Sequence, residues 1–126
     1  MNRKVLLIED EPNIIEAIRF LLMRDGWEVE THSDGSTAVQ AVQKSGPALV
    51  ILDMMLPGRS GMDILRDLRE ISETANLPVL MLTARGQSRD RDMAERAGVS
   101  RFMTKPFSNA EVLDVVRDLL AQAPSQ

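Results

Sequence analysis

Side chains capable of chemistry stand at the ends of four short and mostly apolar runs. The runs, each with the residues that follow it, are 5–8 with Glu9 and Asp10, 49–52 with Asp53, 79–82 with Thr83, and 100–104 with Lys105. Runs of this length and composition are typical of strands buried in a parallel sheet. Ligands of open α/β sheets bind where the carboxyl ends of the strands meet. We therefore expect the carboxylates, the hydroxyl and the ammonium group to share one crevice.

Glu9, Asp10 and Asp53 would bring three carboxylates together at that crevice. Negative charges a few ångströms apart raise one another's pKa, so the three stay ionised only if a cation joins them. All-oxygen ligation favours a hard cation, and Mg²⁺ is typically held by one or two carboxylates with water and phosphate oxygens. As an alternative, Glu9 and Asp10 would merely cap the loop before Pro12. Asp53 fits that alternative poorly, because apolar residues stand on both sides of it.

Lys105 and Thr83 extend this site toward phosphoryl chemistry. A cation, an ammonium group and a hydroxyl are the groups that stabilise the oxygens of a transferring phosphoryl group. Asp53 is then the candidate nucleophile, since carboxylates form aspartyl phosphates. His32, the only histidine, lies on an alternating run and is expected at the surface. Residues 58–61 (GRSG) are expected to form a turn, because they lack the pattern of a phosphate-binding loop.

Strand and helix patterns alternate along the whole chain, which predicts βαβ units around a parallel sheet. A further strand is expected at 27–31, which gives five strands in all. Five helices are expected: one from Pro12 to about Gly26, then 36–44, 64–71, 88–97, and one that begins at Ser108 and reaches Leu120. Ser108 and Glu111 have the spacing of a capping box for the last of these. The helix at 88–97 offers few apolar side chains, so its packing should be weak.

The first helix has more apolar residues than one buried stripe can hold. Its inner stripe is expected to contain Ile14, Ile18 and Leu21. Ile15, Phe20 and Met23 are further large apolar residues of this helix, and they cannot all be buried as well. Apolar surface beside an active crevice is a candidate contact patch for a protein partner. Scattered surface apolarity is the plainer alternative.

Composition indicates one domain and limits the classes of partner. The chain has 126 residues and a net charge of −4, which argues against direct binding of nucleic acid. Residues 85–105 hold six basic and three acidic groups, either as a solvated helix face or as a docking surface for a partner. No run is long enough to cross a membrane, no signal peptide precedes the first strand and there is no cysteine. We expect a cytoplasmic protein.

The ordered motifs resemble the receiver domain of bacterial two-component response regulators. The matching stretches are 5–11 (VLLIEDE), 53–58 (DMMLPG), Ser60-Gly61, 82–84 (LTA), Gly98 and 105–107 (KPF). Each motif is weak alone, but the set follows the order and spacing of the family. The resemblance implies a flavodoxin-like, doubly wound five-stranded parallel sheet of order 2-1-3-4-5 with five helices. It implies a receiver domain over 1–122, followed by a short tail, 123–126.

The resemblance also implies a role for each site residue. Asp53 would accept a phosphoryl group from a sensor histidine kinase or a histidine phosphotransfer protein. Mg²⁺ would be held by Glu9, Asp10, Asp53 and the backbone carbonyl of Met55, and the phosphoryl oxygens by Thr83 and Lys105. Thr83 and Phe102 would form the switch that changes the 84–105 face toward a downstream partner or output domain, and Lys105-Pro106 would be a cis peptide.

The chain departs from the usual family pattern at Phe102 and at the pair Ser100-Arg101. Phe102 stands where the switch residue is commonly Tyr, and Ser100-Arg101 replaces an acidic pair used for dimerisation in one large subfamily. We interpret the chain as a stand-alone receiver, which catalyses only its own phosphorylation and dephosphorylation. The alternatives are a receiver fragment of a longer regulator, such as a transcription factor, and a metal-dependent phosphatase for small molecules. The phosphatase is disfavoured because Met54 and Met55 stand where a second acid would be needed.

Overall fold

A computed structural model describes residues 2–84 and 88–122, and within them a parallel sheet lies between two layers of helices. The elements in chain order are β1 (Lys4–Ile8), α1 (Pro12–Arg24), β2 (Glu28–His32), a 3₁₀ turn (Gly35–Thr37), α2 (Ala38–Ser45), β3 (Leu49–Asp53), α3 (Gly61–Glu70), β4 (Val79–Thr83), α4 (Ser88–Arg96), β5 (Arg101–Thr104) and α5 (Asn109–Gln122). The predicted alternation of strands and helices is therefore confirmed.

The strand order is β2-β1-β3-β4-β5, and every pair is parallel, as the resemblance implied. Ile8 pairs with Leu52, and Asp53 pairs with Leu82 on the next strand. This register ends the central strands at one edge of the sheet. Glu9, Asp53 and Thr83 therefore come together at the edge that the sequence predicts.

Alternate strand residues supply two separate cores, because successive side chains of a strand point to opposite faces. On one face, α2, α3 and α4 pack against Leu6, Ile8, Val50, Leu52, Val79 and Met81. On the other, α1 and α5 pack against Val5, Leu7, Leu49, Ile51, Leu80, Leu82 and Met103. The three central strands are buried on both faces, which explains their nearly continuous aliphatic sequence.

Some predicted element boundaries are wrong by a residue or a turn. The second strand is Glu28–His32 rather than 27–31, and the predicted helix 36–44 begins as the 3₁₀ turn. In α1, Ile18 is buried as predicted, but Leu22 is the second buried residue. Ile14 and Leu21 are only partly buried. Helical periodicity limits which residues share a face, but the packing of α1 on the sheet decides how the helix is rotated.

Helix α4 has little buried surface, as its sequence predicted. Ala94 is its one fully buried residue, and Met93 is 37% exposed. Arg85 of the predicted basic cluster and the predicted tail at 123–126 lie outside the described residues. Across the part of the chain that the structure describes, no helix has the length and hydropathy needed to cross a membrane.

Candidate functional site

Glu9 follows β1 directly and is completely buried. Its backbone N–H donates to the carbonyl of His32 at 3.0 Å, which continues the β1–β2 pairing by one step. Its Oε2 accepts hydrogen bonds from the backbone N–H groups of Asp10, at 3.2 Å, and Glu11, at 3.1 Å. These bonds turn the carboxylate back over the end of the strand.

Asp53 closes β3, and its side chain is almost fully buried. Its Oδ1 accepts a hydrogen bond from the backbone N–H of Met55 at 3.2 Å. The backbone N–H of the next residue, Met54, donates to the carbonyl of Leu82 at 2.8 Å, so the strand pairing fixes the acceptor position. Asp10, in contrast, is exposed.

Lys105 brings a positive charge to these carboxylates. Its Nζ lies 3.1 Å from Glu9 Oε1, 3.1 Å from Glu11 Oε1 and 3.5 Å from Asp53 Oδ1. Its backbone N–H donates to the carbonyl of Thr83 at 2.7 Å, and the peptide to Pro106 is cis. The side chain is only 11% exposed. Ion pairs with the three carboxylates therefore hold the ammonium group of Lys105 within the acidic crevice.

Thr83 and Phe102 occupy the neighbouring strands. Thr83 closes β4 and is buried, and its hydroxyl donates to the sulfur of Met54 at 3.7 Å. Phe102 is partly buried against the core of the α2–α4 face, with the guanidinium of Arg91 5.5 Å from its ring centroid. Met55 is 65% exposed. Asp53 and Thr83 thus lie at adjacent strand ends, whereas Phe102 lies within β5, opposite Met81 of β4.

Three carboxylates at this edge could hold a metal ion. Glu9, Asp10 and Asp53 each offer a ligand atom, and these atoms all lie within 4.8 Å of one another. Glu9 Oε1 is buried, and no donor among the described residues meets it with hydrogen-bond geometry, although Lys105 Nζ lies close by. A buried polar atom without a hydrogen bond is rare in proteins. This unsatisfied oxygen beside two more carboxylates fits a hard divalent cation.

The electrostatics of the metal-free site reflect the same crowding. Burial raises the pKa of Glu9 to about 7; the backbone N–H of Glu11 opposes the rise, and the charge of Asp53 adds to it. Burial lowers the pKa of Lys105, but its contacts with the carboxylates of Glu9 and Glu11 and the charge of Asp53 outweigh burial and raise it above its usual value. The ammonium group therefore stays charged, whereas one carboxylate is poised to take a proton.

One residue at the site had no predicted role. Glu11 received no role from the sequence, yet its exposed carboxylate pairs with Lys105. The run of three acidic residues at 9–11 (EDE) could have indicated that a third carboxylate of this run lies near the site. The sequence does not show which of the three contact Lys105, because that depends on the conformation of the loop. His32 is partly exposed, in keeping with its predicted place at the surface, and its Nε2 lies 2.7 Å from the hydroxyl of Thr37.

A family model for the response regulator receiver domain matches residues 5–117. The chain belongs to this family. It is therefore a receiver domain of the kind found in two-component response regulators.

Relatives and solved structures agree with that assignment. The chain is 44% identical over 116 residues to "Probable transcriptional regulatory protein TcrX" of Mycobacterium tuberculosis. The aligned region covers 92% of this chain but only 49% of that protein. The chain thus spans about half the length of this relative. The BeF3-activated N-terminal receiver domain of Klebsiella pneumoniae RstA has 29% identity and a TM-score of 0.88, with 94% of this chain and 99% of that chain covered.

The receiver domain of the sensor histidine kinase PA1611 from Pseudomonas aeruginosa PAO1 is a further match. It has 26% identity and a TM-score of 0.88, with 97% of this chain and 100% of that chain covered. That structure has a magnesium ion coordinated in its active site cleft. The similar fold supports a comparison of the two clefts.

Proposed function

We propose that Asp53 accepts a phosphoryl group from the phosphohistidine of a sensor histidine kinase or a histidine phosphotransfer protein. The observation that carries the proposal is the buried carboxylate of Asp53 at the end of β3, with Lys105 Nζ 3.5 Å from its Oδ1. A buried carboxylate beside a charged ammonium group can attack phosphorus, because the negative charge that develops on the phosphoryl oxygens is already balanced.

In the transfer step, one carboxylate oxygen of Asp53 forms a bond to phosphorus while the phosphorus–nitrogen bond of the donor breaks. The imidazole leaves with the electron pair of that bond and takes a proton from solvent. Lys105 moves its ammonium group from the carboxylates to the phosphoryl oxygens, and Thr83 donates its hydroxyl to another of them. The protein is both catalyst and substrate, so no separate substrate is turned over.

Glu9, Asp10, Asp53 and the backbone carbonyl of Met55 would hold Mg²⁺ in this site. The close carboxylate oxygens and the unsatisfied Glu9 Oε1 support this ligand set. When bound, the ion supplies positive charge that neutralises the phosphoryl oxygens. The chain's own contribution is to collect the carboxylates against their mutual repulsion, which Lys105 offsets before any ion arrives.

Phosphorylation would be transmitted through Thr83 and Phe102 to the face formed by residues 84–105. A phosphoryl oxygen is a better acceptor than the sulfur of Met54, so Thr83 would move toward Asp53. Phe102, partly buried beneath Arg91, would then turn further inward. Helix α4 can shift at low cost because so little of it is buried.

The partner read by this face is a downstream protein or an output domain. The similarity to TcrX, a protein about twice as long with a transcriptional regulator's name, favours an output domain for longer relatives. We expect neither direct nucleic-acid nor membrane contact by the receiver itself, and we expect it to act in the cytoplasm, where phosphohistidine donors are formed.

The kinase would dock on α1. Phe20 and Met23 are 64% and 52% exposed, whereas Ile15 packs partly against the core. Of Ile15, Phe20 and Met23, only the last two are well exposed, so they form the proposed contact patch. Phe20 and Met23 lie in the second half of α1, toward its end at Arg24, and exposed apolar side chains of this kind mark a candidate contact surface for a protein partner.

The proposal is tested with Mg²⁺ and the small donor acetyl phosphate. The intact mass of the wild-type protein should rise by one phosphoryl group, and that of Asp53→Ala should not. Glu70→Ala, at an exposed position on α3, is the matched control and should respond like wild type. An equal mass gain in Asp53→Ala would contradict the assignment.

A further inference from the structure

The loop that follows Asp53 is in direct backbone contact with the loop that follows β2. We define the acceptor loop as residues 54–60, between β3 and α3, and the β2–α2 loop as residues 33–37. The backbone N–H of Gly35 donates to the carbonyl of Pro57, in the middle of the acceptor loop, at 2.9 Å. This contact lies two residues beyond Met55, whose carbonyl belongs to the proposed metal site.

The approach of the two loops requires glycine on both sides. A Cβ on Gly35 would overlap the carbonyl oxygen of Arg59 and would lie 2.8 Å from the carbonyl oxygen of Pro57. Gly58 has a φ of +86°, and a Cβ there would lie 2.8 Å from Oδ1 of Asp34. Because backbone rather than a flexible side chain fills the space around Gly35, the acceptor loop itself would have to move to admit a methyl group.

Asp34 gives the β2–α2 loop its shape. Its Oδ1 accepts hydrogen bonds from the backbone N–H of Ser36 at 2.9 Å and from the Ser36 hydroxyl at 2.7 Å. These bonds also hold the pKa of Asp34 below its usual value, so the carboxylate accepts both at neutral pH. They close the turn that presents the N–H of Gly35 to Pro57.

The same segment also reaches the other side of the metal site. The carbonyl of His32, which immediately precedes the β2–α2 loop, accepts the backbone N–H of Glu9 at 3.0 Å. The segment from His32 to Gly35 therefore contacts the backbone on both sides of the acidic crevice. Besides the direct pairing of Ile8 with Leu52, it is a second link between Glu9 and the acceptor loop.

We propose that Asp34 and Gly35 are positioning residues of the metal site, which hold the acceptor loop so that the Met55 carbonyl and the carboxylates face one ion. The inference rests on the proposed function, because it takes the Met55 carbonyl as a ligand. Neither residue supplies a ligand atom. Both act by limiting where the backbone of residues 55–58 can lie.

The first test is Mg²⁺ binding to the phosphate-free protein, measured by calorimetry. Gly35→Ala should bind Mg²⁺ about 10-fold to 100-fold more weakly than wild type, the range typical when an outer partner of a metal ligand is lost. Ser33→Ala, an exposed change in the same loop, should bind like wild type. Circular dichroism checks that each variant is folded, and the amide NMR shifts of Met55, Leu56 and Gly58 in metal-free protein should change in Gly35→Ala.

A second pair of variants keeps the test decisive if Gly35→Ala does not fold. Asp34→Ala removes the acceptor of both Ser36 bonds and should weaken Mg²⁺ binding about 10-fold. Asp34→Asn removes the charge but keeps an oxygen in place, so it should bind nearly like wild type. Equal losses in Asp34→Ala and Asp34→Asn would make the effect one of charge and overturn the positioning role.

The outcomes also separate this inference from the proposed function. If wild type binds no Mg²⁺ and accepts no phosphoryl group, the proposed function fails. If wild type does both and folded Gly35→Ala and Asp34→Ala bind Mg²⁺ equally well, only the positioning role is overturned.

Discussion

Replacing Glu9 by Gln removes a charge from a completely buried position while keeping the shape of the side chain. In metal-free folded protein, Glu9 holds a proton up to about pH 7, whereas in the unfolded chain it releases the proton at 4.5. Between these values the folded state binds more protons than the unfolded state, so stability falls as pH rises. In Glu9→Gln, the free energy of unfolding should not fall in this way as pH rises.

The size of the effect follows from the pKa of Glu9. A rise from 4.5 to about 7 corresponds to about 3 kcal/mol once the carboxylate is fully charged above pH 7. That value already includes the attraction of Lys105, which lowers the pKa of Glu9. The oxygen of Gln can still accept the backbone N–H groups of Asp10 and Glu11. Glu9→Gln should therefore be more stable than wild type by up to about 3 kcal/mol at alkaline pH.

The assay is urea unfolding of both proteins in the presence of a chelator, from about pH 4.5 to about pH 8.5. The stability difference should be near zero at the acid end and should grow as pH rises through 7. Added Mg²⁺ should stabilise wild type and leave Glu9→Gln less affected. A stability difference that does not change with pH, or a less stable glutamine variant at alkaline pH, would contradict a raised pKa at Glu9.

Two further predictions concern the surfaces through which signals enter and leave. Phe20→Glu should slow phosphoryl transfer from the kinase but leave phosphorylation by acetyl phosphate unchanged. Ser72→Glu, an exposed change after α3, is the control and should leave both rates unchanged. If both rates are also unchanged in Phe20→Glu, the docking surface lies elsewhere. Amide hydrogen exchange with and without beryllofluoride should change most across residues 84–105, and a change confined to Asp10 and Asp53 would mean that Phe102 is only a core residue.

The sheet and the acidic crevice could be predicted because both depend on local sequence. Each central strand is buried on both faces, so its aliphatic run is visible, and the run ends where a polar residue begins the crevice. Asp53 and Thr83 are therefore identifiable without any knowledge of the fold. Parallel strands then bring their ends together by geometry alone.

The remaining features depend on how separate segments meet. The edge strand β2 has an alternating pattern that allows either 27–31 or Glu28–His32, and pairing with β1 decides between them. Leu21 and Leu22 are equally apolar, and only packing on the sheet buries the second. The contact of Gly35 with Pro57 and Arg59 joins loops more than twenty residues apart, which no periodicity records.

Residue-level mapping shows whether Asp53 itself carries the phosphoryl group. After reaction with the phosphodonor, borohydride reduces an aspartyl phosphate to homoserine, which peptide mass spectrometry locates. The account predicts homoserine at position 53 in wild type only when Mg²⁺ is present, and none in Asp53→Ala. Homoserine at another aspartate in wild type, or unmodified Asp53 in protein that has gained a phosphoryl group, would contradict it.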